Sequence, residues 1–293
     1  MSVKRRWGDR RDGVRVRCED RLHVLTPYLL PNRCDNEVFV MEKIDMAASN
    51  NYLKKKNAEN PEYKYTIFQI VVTAAMKTFM LRPRLNRFIM GKRLYQRNVF
   101  SAGFPVKKAF EDNGELGLAY LEFEENSNLD WFNNELHDIV YEERHTESID
   151  RGTNVVNWFT NLPRPILTFL IKSMYVSNYF GIAPDSITKE DVCSTTCIFS
   201  NLGSIGLQAG YHHLYSWGTN SNFVMIGEKK ESYYLDKNGD IKQHETLEFG
   251  YTADDRITDG YYFSESLKLF KYLLEHPTEL EKPLIEEVDY DEK

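Results

Sequence analysis

Two acidic residues near the carboxyl-terminal end of the sequence are the first candidates for chemistry. Asp255 and Asp259 lie four positions apart in the run YTADDRITDGYYF, residues 251–263, on either side of Arg256. A strand-like run precedes them and a helix-like run follows, which predicts a strand-to-helix corner. A carboxylate there can act as a general base if burial raises its pKa, or it can be a structural acid neutralised by an arginine or backbone N–H groups. Both interpretations of Asp255 stay open, and the nearby arginines favour the second.

A serine turn and a histidine pair are the other candidates. Ser200 lies in FSNLGSIG, residues 199–206, where a strand-like run enters a turn. His212 and His213 stand together among aromatic residues in AGYHHLYSWG. Such a pair is more often a packed structural feature than a catalytic base, although an imidazole base stays open. The sequence contains no glycine-rich phosphate loop, no H-E-x-x-H and no G-x-S-x-G motif.

The elements that must position these residues form a mixture of strands and helices. Alternating apolar residues predict a strand over 37–45, and helical spacing that stops at Pro83 predicts a buried helix over 66–83. Residues 88–107 are typical of two strands across a turn. Because strands and helices do not alternate regularly, we expect one α/β domain in which a mixed sheet is flanked by helices.

The bulk composition limits the classes of partner. The chain has 293 residues and a formal net charge of −7, which argues against a general nucleic-acid binder. The first 20 residues form a charged arm, which we expect to be solvated or to dock a partner rather than to bind RNA or lipid. Its basic residues are Lys4, Arg5, Arg6, Arg10, Arg11, Arg15 and Arg17.

The cysteines and the amino terminus indicate a cytoplasmic protein. The four cysteines, none in a C-x-x-C pair, are Cys18, Cys34, Cys193 and Cys197. No signal peptide is visible, so we expect reduced thiols in the cytosol and no metal site.

One apolar stretch resembles a membrane segment. Residues 157–184 are apolar around most of a helix, but Arg164, Pro165 and Lys172 interrupt the run. A spanning helix needs about 20 predominantly apolar residues. Packing within the protein or an oligomer is therefore favoured over an interfacial membrane contact, which remains the alternative.

Two motifs in this order and separation resemble the catalytic domain of the dihydrolipoyl acyltransferases of 2-oxo acid dehydrogenase complexes. That family shares its fold with chloramphenicol acetyltransferase. Where the family typically has T-I-S-N-L-G and D-H-R-V-x-D-G, this chain has I-F-S-N-L-G at 198–203 and D-D-R-I-T-D-G at 254–260. The resemblance covers residues 21–283, with an insertion at about 146–186, and leaves an acidic tail at 284–293.

The resemblance implies a role for each matched residue. Ser200 falls on the serine that donates a hydrogen bond to the tetrahedral oxyanion. Asp255 falls on the catalytic histidine, so the family's base is missing and His212 or His213 is a possible replacement. Asp259 falls on an aspartate that pairs with an amino-terminal arginine, for which Arg21 is the nearest match. The family also implies coenzyme A or acyl-coenzyme A as a substrate and a homotrimer that shares its active sites and can assemble into a cage.

Two departures leave the function open. No lipoyl domain and no lipoylation site appear in the sequence, so we expect a standalone core that needs either a lipoyl or acyl carrier in trans or a different acceptor. The favoured function is a coenzyme A-dependent acyltransferase. The alternatives are a catalytically inactive trimeric or cage-forming scaffold and a binding module for a small molecule or an acyl carrier.

Overall fold

The described part of the chain is built from nine strands and six α-helices. A computed structural model describes residues 6–17, 21–107, 116–145, 161–184, 188–235 and 238–290, without the side chains of 116 and 142–145. The strands are β1 (Gly13–Arg15), β2 (Glu37–Asp45), β3 (Arg87–Met90), β4 (Arg93–Arg97), β5 (Phe100–Lys107), β6 (Leu116–Phe123), β7 (Cys197–Asn201), β8 (Asn222–Leu235) and β9 (Ile241–Asp254). The helices are α1 (Arg21–Leu29), α2 (Ala47–Ala58), α3 (Ile67–Leu81), α4 (Leu129–His145), α5 (Arg164–Tyr179) and α6 (Gly260–Glu275).

A six-stranded mixed sheet forms the centre of the fold. Its strand order is β2-β9-β8-β7-β5-β6. Strand β7 runs parallel to both β5 and β8, and the remaining pairs in this sheet are antiparallel. The expected mixed α/β architecture is confirmed, as are the strand over 37–45 and the helix before Pro83. The prediction of two strands over 88–107 is wrong, because the chain turns twice there and forms β3, β4 and β5.

Helices cover one face of the sheet. Helix α3 begins with a capping box in which Thr66 and Gln69 satisfy each other's backbone N–H groups, and it is buried along most of its length. It packs against α4 and α6. Its side chains form the main core together with the strand side chains that point to this face of the sheet. Phe199 of β7 and Val224 of β8 point into this core, so their neighbours along each strand point to the opposite face.

A non-helical chain segment covers part of that opposite face. Residues 207–221, here called the covering segment, cross β8 and β9 after the serine turn, and Leu214 joins a second apolar cluster with Ile198 and Phe223. Contact is close enough to require glycine, since a Cβ at position 250 would lie 1.7 Å from the carbonyl oxygen of Gly210. The covering segment is thereby held against the sheet next to Ser200.

The charged amino-terminal stretch differs from the expected solvated arm. Strand β1 pairs with β4 in a second, three-stranded sheet of order β1-β4-β3. The buried Arg10 donates to Asp12 at 2.7 Å and to the side-chain oxygen of Asn178 in α5 at 2.9 Å. Arg10 therefore has a structural role, because its guanidinium can donate hydrogen bonds to several buried acceptors at once. Lys4, Arg5 and Cys18 lie outside the described residues.

Helix α5 occupies the described part of the apolar stretch 157–184. Most of its large apolar side chains are exposed, among them Ile166, Phe169, Ile171 and Val176. Within the ranges that the structure describes, no helix has both the length and the apolar character needed to cross a bilayer. Residues 146–160 and 185–186 of the predicted insertion lie outside the described residues, and the role of the stretch stays a prediction.

Candidate functional site

Ser200 is presented at the carboxyl end of β7, on the face away from the helices. Its neighbour Phe199 is fully buried in the main core, so strand alternation turns Ser200 to the side of the covering segment. The chain then leaves the sheet in a 3-10 turn, in which the Asn201 side chain accepts the Ser204 N–H at 3.2 Å. The half-buried side chain of Ser200 makes no hydrogen bond to another described residue, so its hydroxyl is available to a ligand.

The strand-to-helix corner buries an acid that the sequence analysis did not single out. Strand β9 ends at Asp254, whose side chain is completely buried and accepts from Arg256 Nε at 2.8 Å and Nη2 at 2.7 Å. Arg33 Nε lies 3.8 Å from the same carboxylate. Burial lowers the pKa of Arg33, and the charge of Asp254 opposes that shift. The structural acid is therefore Asp254.

Asp255 itself points away from this ion pair. It is exposed in the single chain and has no hydrogen bond or ion pair to another described residue. The hypothesis that an arginine neutralises Asp255 is wrong, because Arg256 turns inward to Asp254 instead. Asp255 and Asp259 border the same small cavity of about 50 Å³, together with Val38 and Phe263.

Asp259 caps the last helix. Its carboxylate accepts the Tyr262 N–H at 2.8 Å at the amino terminus of α6, where a negative charge is favoured. Its ion-pair partner is Arg84, at 3.8 Å, with both side chains about half exposed. The predicted partly buried pair with Arg21 is wrong, because Arg84, just after α3, lies beside this helix start. Arg21 is exposed at the beginning of α1.

The histidine pair lies on the covering segment. The half-buried His212 stacks on Phe223 of β8, with ring centroids 4.3 Å apart and planes at 13°. His212 Nδ1 lies 2.7 Å from the carbonyl oxygen of His213. His213 is exposed, and its ring meets Tyr215 edge-on. The structure therefore places His212 on the face that carries Ser200, a proximity that the sequence alone could not establish.

Ser200 and Asp255 are far apart within one chain. In the sheet register, Ser200 stands opposite Met225, and Met225 stands opposite Gly250. Asp255 follows Gly250 by five residues, which corresponds to about 17 Å along the strand direction. A single chain therefore does not bring the serine and this carboxylate to one reacting group.

A separate cavity lies away from all six candidate residues. It has a volume of about 190 Å³ and is bordered by Arg10, Arg97, Tyr120, Glu122 and Asp191, among others. Desolvation raises the pKa of Asp191, whose carboxylate accepts from the Trp217 Nε1–H at 2.9 Å. Both basic and acidic side chains line this cavity, and none of its lining residues is Ser200 or belongs to the covering segment. We find no group of three or more potential metal ligands within the described ranges.

Comparison with solved structures identifies the architecture. The structure of a probable dihydrolipoamide acetyltransferase from Listeria monocytogenes superposes with a TM-score of 0.59 at 11% identity, covering 90% of this chain and 95% of that one. The fold is that of a dihydrolipoamide acetyltransferase core. The cubic core of a pyruvate dehydrogenase multienzyme complex gives 0.59 at 14% identity with 88% of both chains covered. Chloramphenicol acetyltransferase gives 0.50 at 11%, with 89% of this chain and 95% of that one covered.

The sequence match is more local than this acetyltransferase-core fold. Residues 183–281 match the family model for the 2-oxoacid dehydrogenases acyltransferase (catalytic domain), which is less than half of the chain. That stretch contains Ser200, the covering segment and the corner with Asp255 and Asp259. No curated protein sequence matches the chain.

Two features of the site were missed by sequence reasoning. The first is the buried acid. The sequence does not reveal whether Asp254 or Asp255 turns its carboxylate inward at the end of the strand. Arg33, which completes the buried cluster, comes from a 3-10 turn more than 200 residues earlier in the chain. Its only local signal is an arginine beside a proline-containing segment, which is too common to predict a contact.

Proposed function

We propose that the protein is a coenzyme A-dependent acyltransferase related to the catalytic core of 2-oxo acid dehydrogenase complexes. The observation that carries the proposal is the position of Ser200. Its unpartnered hydroxyl stands at the end of a strand in an acetyltransferase-core fold, inside the stretch that matches the acyltransferase family model. The substrates would be an acyl thioester and a thiol or hydroxyl acceptor, with a lipoyl or acyl carrier supplied in trans.

The chemistry needs an oxyanion donor and a base. When the acceptor attacks the thioester carbonyl, negative charge develops on the carbonyl oxygen, and the Ser200 hydroxyl would donate a hydrogen bond to it. A single oxyanion-hole donor is worth about 10²–10³ in kcat. The base must remove the acceptor proton, and the candidate side chains for that step are those of Asp255, His212 and His213.

A homotrimer with shared sites agrees with the geometry of Asp255. Because Ser200 and Asp255 are separated by about 17 Å along the sheet, this carboxylate would act on a Ser200-bound substrate only from a second copy. Exposed apolar side chains offer a surface for such a copy, namely Leu22, Leu25 and Leu29 of α1 and Val38, Phe39 and Met41 of the edge strand β2. A larger cage would use further surfaces of the same trimer.

A non-catalytic scaffold of the same fold is the second candidate. The observation that favours it is Asp255, a solvent-exposed carboxylate where the acyltransferases resembled here have a histidine. As a scaffold, the protein would form trimers or cages in the cytoplasm without turning over a thioester. The free thiols of Cys34, Cys193 and Cys197 agree with a reducing compartment.

Binding and assembly together separate the two candidates. Calorimetric titration with acetyl-coenzyme A, with acetate as the control ligand, is expected to show saturable binding of the thioester alone. Sedimentation at micromolar concentration is expected to give three times the mass of the chain. A trimer that binds no acetyl-coenzyme A would contradict the enzyme and support the scaffold, whereas a stable monomer would contradict the shared site.

A further inference from the structure

Ser200 and His212 lie on one face of the sheet in the same chain. In the parallel pair β7–β8, Ser200 is opposite Met225, and Phe223 is two residues back along β8 on that face. Strand spacing and rise put the Ser200 and Phe223 side chains about 8 Å apart. The imidazole of His212 lies directly on the Phe223 ring. Ser200 and His212 therefore lie on the same face of the sheet within one chain.

The hydrogen bond of His212 determines which ring nitrogen can take up a proton. A carbonyl oxygen can only accept, so Nδ1 must be the donor in the 2.7 Å contact with His213. In the neutral imidazole, Nε2 then carries the lone pair. No described residue bonds to Nε2, and the ring is held in place by its stacking on Phe223. An oriented imidazole with one free basic nitrogen is the arrangement that general-base catalysis uses.

We propose that His212 Nε2 is the general base of the acyl transfer, in the place of the histidine that Asp255 replaces. This inference rests on the proposed acyltransferase function and assigns the base to the chain that supplies Ser200. The spacing of about 8 Å between Ser200 and Phe223 leaves room for a reacting group beside the His212 ring, because the hydrogen bond from the serine and the hydrogen bond to the base each span about 3 Å.

The proton and electron changes balance without another reactant. The acceptor thiol or hydroxyl loses its proton to His212 Nε2 as its sulfur or oxygen forms a bond to the carbonyl carbon, and the carbonyl electron pair moves to the oxygen beside Ser200. Collapse of the tetrahedral adduct breaks the carbon–sulfur bond of the thioester. The departing thiolate takes the proton back from the His212 imidazolium, giving the acylated acceptor and a free thiol.

His276, just after α6, provides a matched control away from the Ser200 face. Its Nδ1 lies 3.0 Å from the Tyr272 carbonyl oxygen, and its exposed ring stacks on the Tyr272 ring. His212→Phe keeps an aromatic ring to stack on Phe223 but has no basic nitrogen. His212→Gln removes the ring and keeps a polar side chain. Comparison of the two His212 variants therefore separates loss of the base from loss of packing on Phe223.

Transfer from acetyl-coenzyme A to dihydrolipoamide, with calorimetry of acetyl-coenzyme A on the same full-length proteins, tests the inference. We expect His212→Phe and His212→Gln to lose at least 100-fold in kcat with a Kd within about threefold of wild type. His276→Gln is expected to keep kcat within about threefold of wild type. The inference would be overturned if His212→Phe kept a kcat within tenfold of wild type. It would also be overturned if Asp255→Asn, with His212 intact, lost 100-fold in kcat.

A chemical readout separates failure of this inference from failure of the proposed function. Diethyl pyrocarbonate modifies unprotonated imidazole nitrogen, and peptide mass spectrometry reports each histidine. We expect saturating coenzyme A to slow the modification of His212 at least fivefold and to leave the modification of His276 unchanged. A wild type that binds coenzyme A without protecting His212 would overturn the base assignment alone. A wild type that binds neither coenzyme A nor its acetyl ester would overturn the acyltransferase proposal.

Discussion

Asp254 and Arg256 form a buried, bidentate ion pair, and only Asp255 separates them in the sequence. Arg256 Nε and Nη2 lie 2.8 Å and 2.7 Å from the two carboxylate oxygens, and Arg33 approaches the same group. Arg256 also donates through Nη1 to the carbonyl of Leu30 at 3.0 Å. This cluster joins the end of β9 to the chain segment between α1 and β2, and it leaves Asp255 on the outside of the corner.

Removing the buried carboxylate is expected to destabilise the fold strongly. Asp254→Asn keeps the shape of the side chain but leaves two buried guanidinium groups without a counter-charge. Breaking a buried pair in this way costs about 3–5 kcal/mol in the free energy of unfolding. Chemical denaturation of the variant and the wild type at neutral pH measures the difference.

The adjacent position supplies the control for that experiment. Asp255→Asn changes the same chemical group on an exposed side chain with no described partner. Its free energy of unfolding is expected to lie within about 0.5 kcal/mol of wild type. Equal losses at the two positions would contradict the assignment of Asp254 as the structural acid.

Local sequence patterns were sufficient for the sheet-and-helix framework. The alternation over Glu37–Asp45 and the apolar spacing before Pro83 are each carried by consecutive residues, so a strand and a helix could be predicted there without knowledge of distant contacts. The turns around Gly91 and Asn98 were not separated, because the intervening strand β4 is only five residues long. The choice between Asp254 and Asp255 was also beyond local patterns, since it depends on Arg33 from a distant turn.

Loss of the cap on α6 is expected to have a modest effect. Asp259 is about half exposed, so its ion pair with Arg84 contributes little. Asp259→Ala removes the acceptor for the Tyr262 N–H and is expected to lower the free energy of unfolding by about 1 kcal/mol. Asp259→Asn keeps an N-cap acceptor and should remain close to wild type. A loss of several kcal/mol in both variants would contradict the exposed cap.

The effect of the same cap should depend on pH with a defined sign. The hydrogen bond from Tyr262 N–H, followed by smaller contributions that include Arg84, lowers the pKa of Asp259 from its ordinary value of 3.8. A lowered pKa in the folded state stabilises above the unfolded value and is lost as pH falls through the folded value. The stability difference between wild type and Asp259→Ala should therefore be full at pH 7 and shrink below about pH 4. A difference that grew on acidification would contradict this assignment.

The covering segment should leave the sheet when a methyl group is added beneath it. A Cβ at position 250 would lie 1.7 Å from the Gly210 carbonyl oxygen, whereas a Cβ at Gly260 would meet no atom within 4 Å. Gly250→Ala is expected to increase hydrogen exchange across residues 207–214 at least tenfold. Gly260→Ala should leave that exchange unchanged. Equal protection in both variants would contradict the placement of His212 over Phe223.

The site residues were recognised from the sequence, but their partners were not. Ser200, Asp255 and Asp259 stand in short motifs that a sequence displays directly. The pairing of Asp259 with Arg84 rather than Arg21 depends on how the end of α3 packs beside the start of α6. His212 reaches the Ser200 face only because glycines at positions 227 and 250 let the covering segment approach the sheet.

Ser200→Ala tests the acyl-transfer account most directly. With acetyl-coenzyme A as donor and dihydrolipoamide as acceptor, the variant should lose about 10²–10³ in kcat, because one oxyanion donor is removed. Its Kd for acetyl-coenzyme A should stay within about threefold of wild type, since the hydroxyl acts mainly on charge that develops during the reaction. Transfer by the wild type that is unchanged in Ser200→Ala, or no transfer by the wild type, would contradict the account.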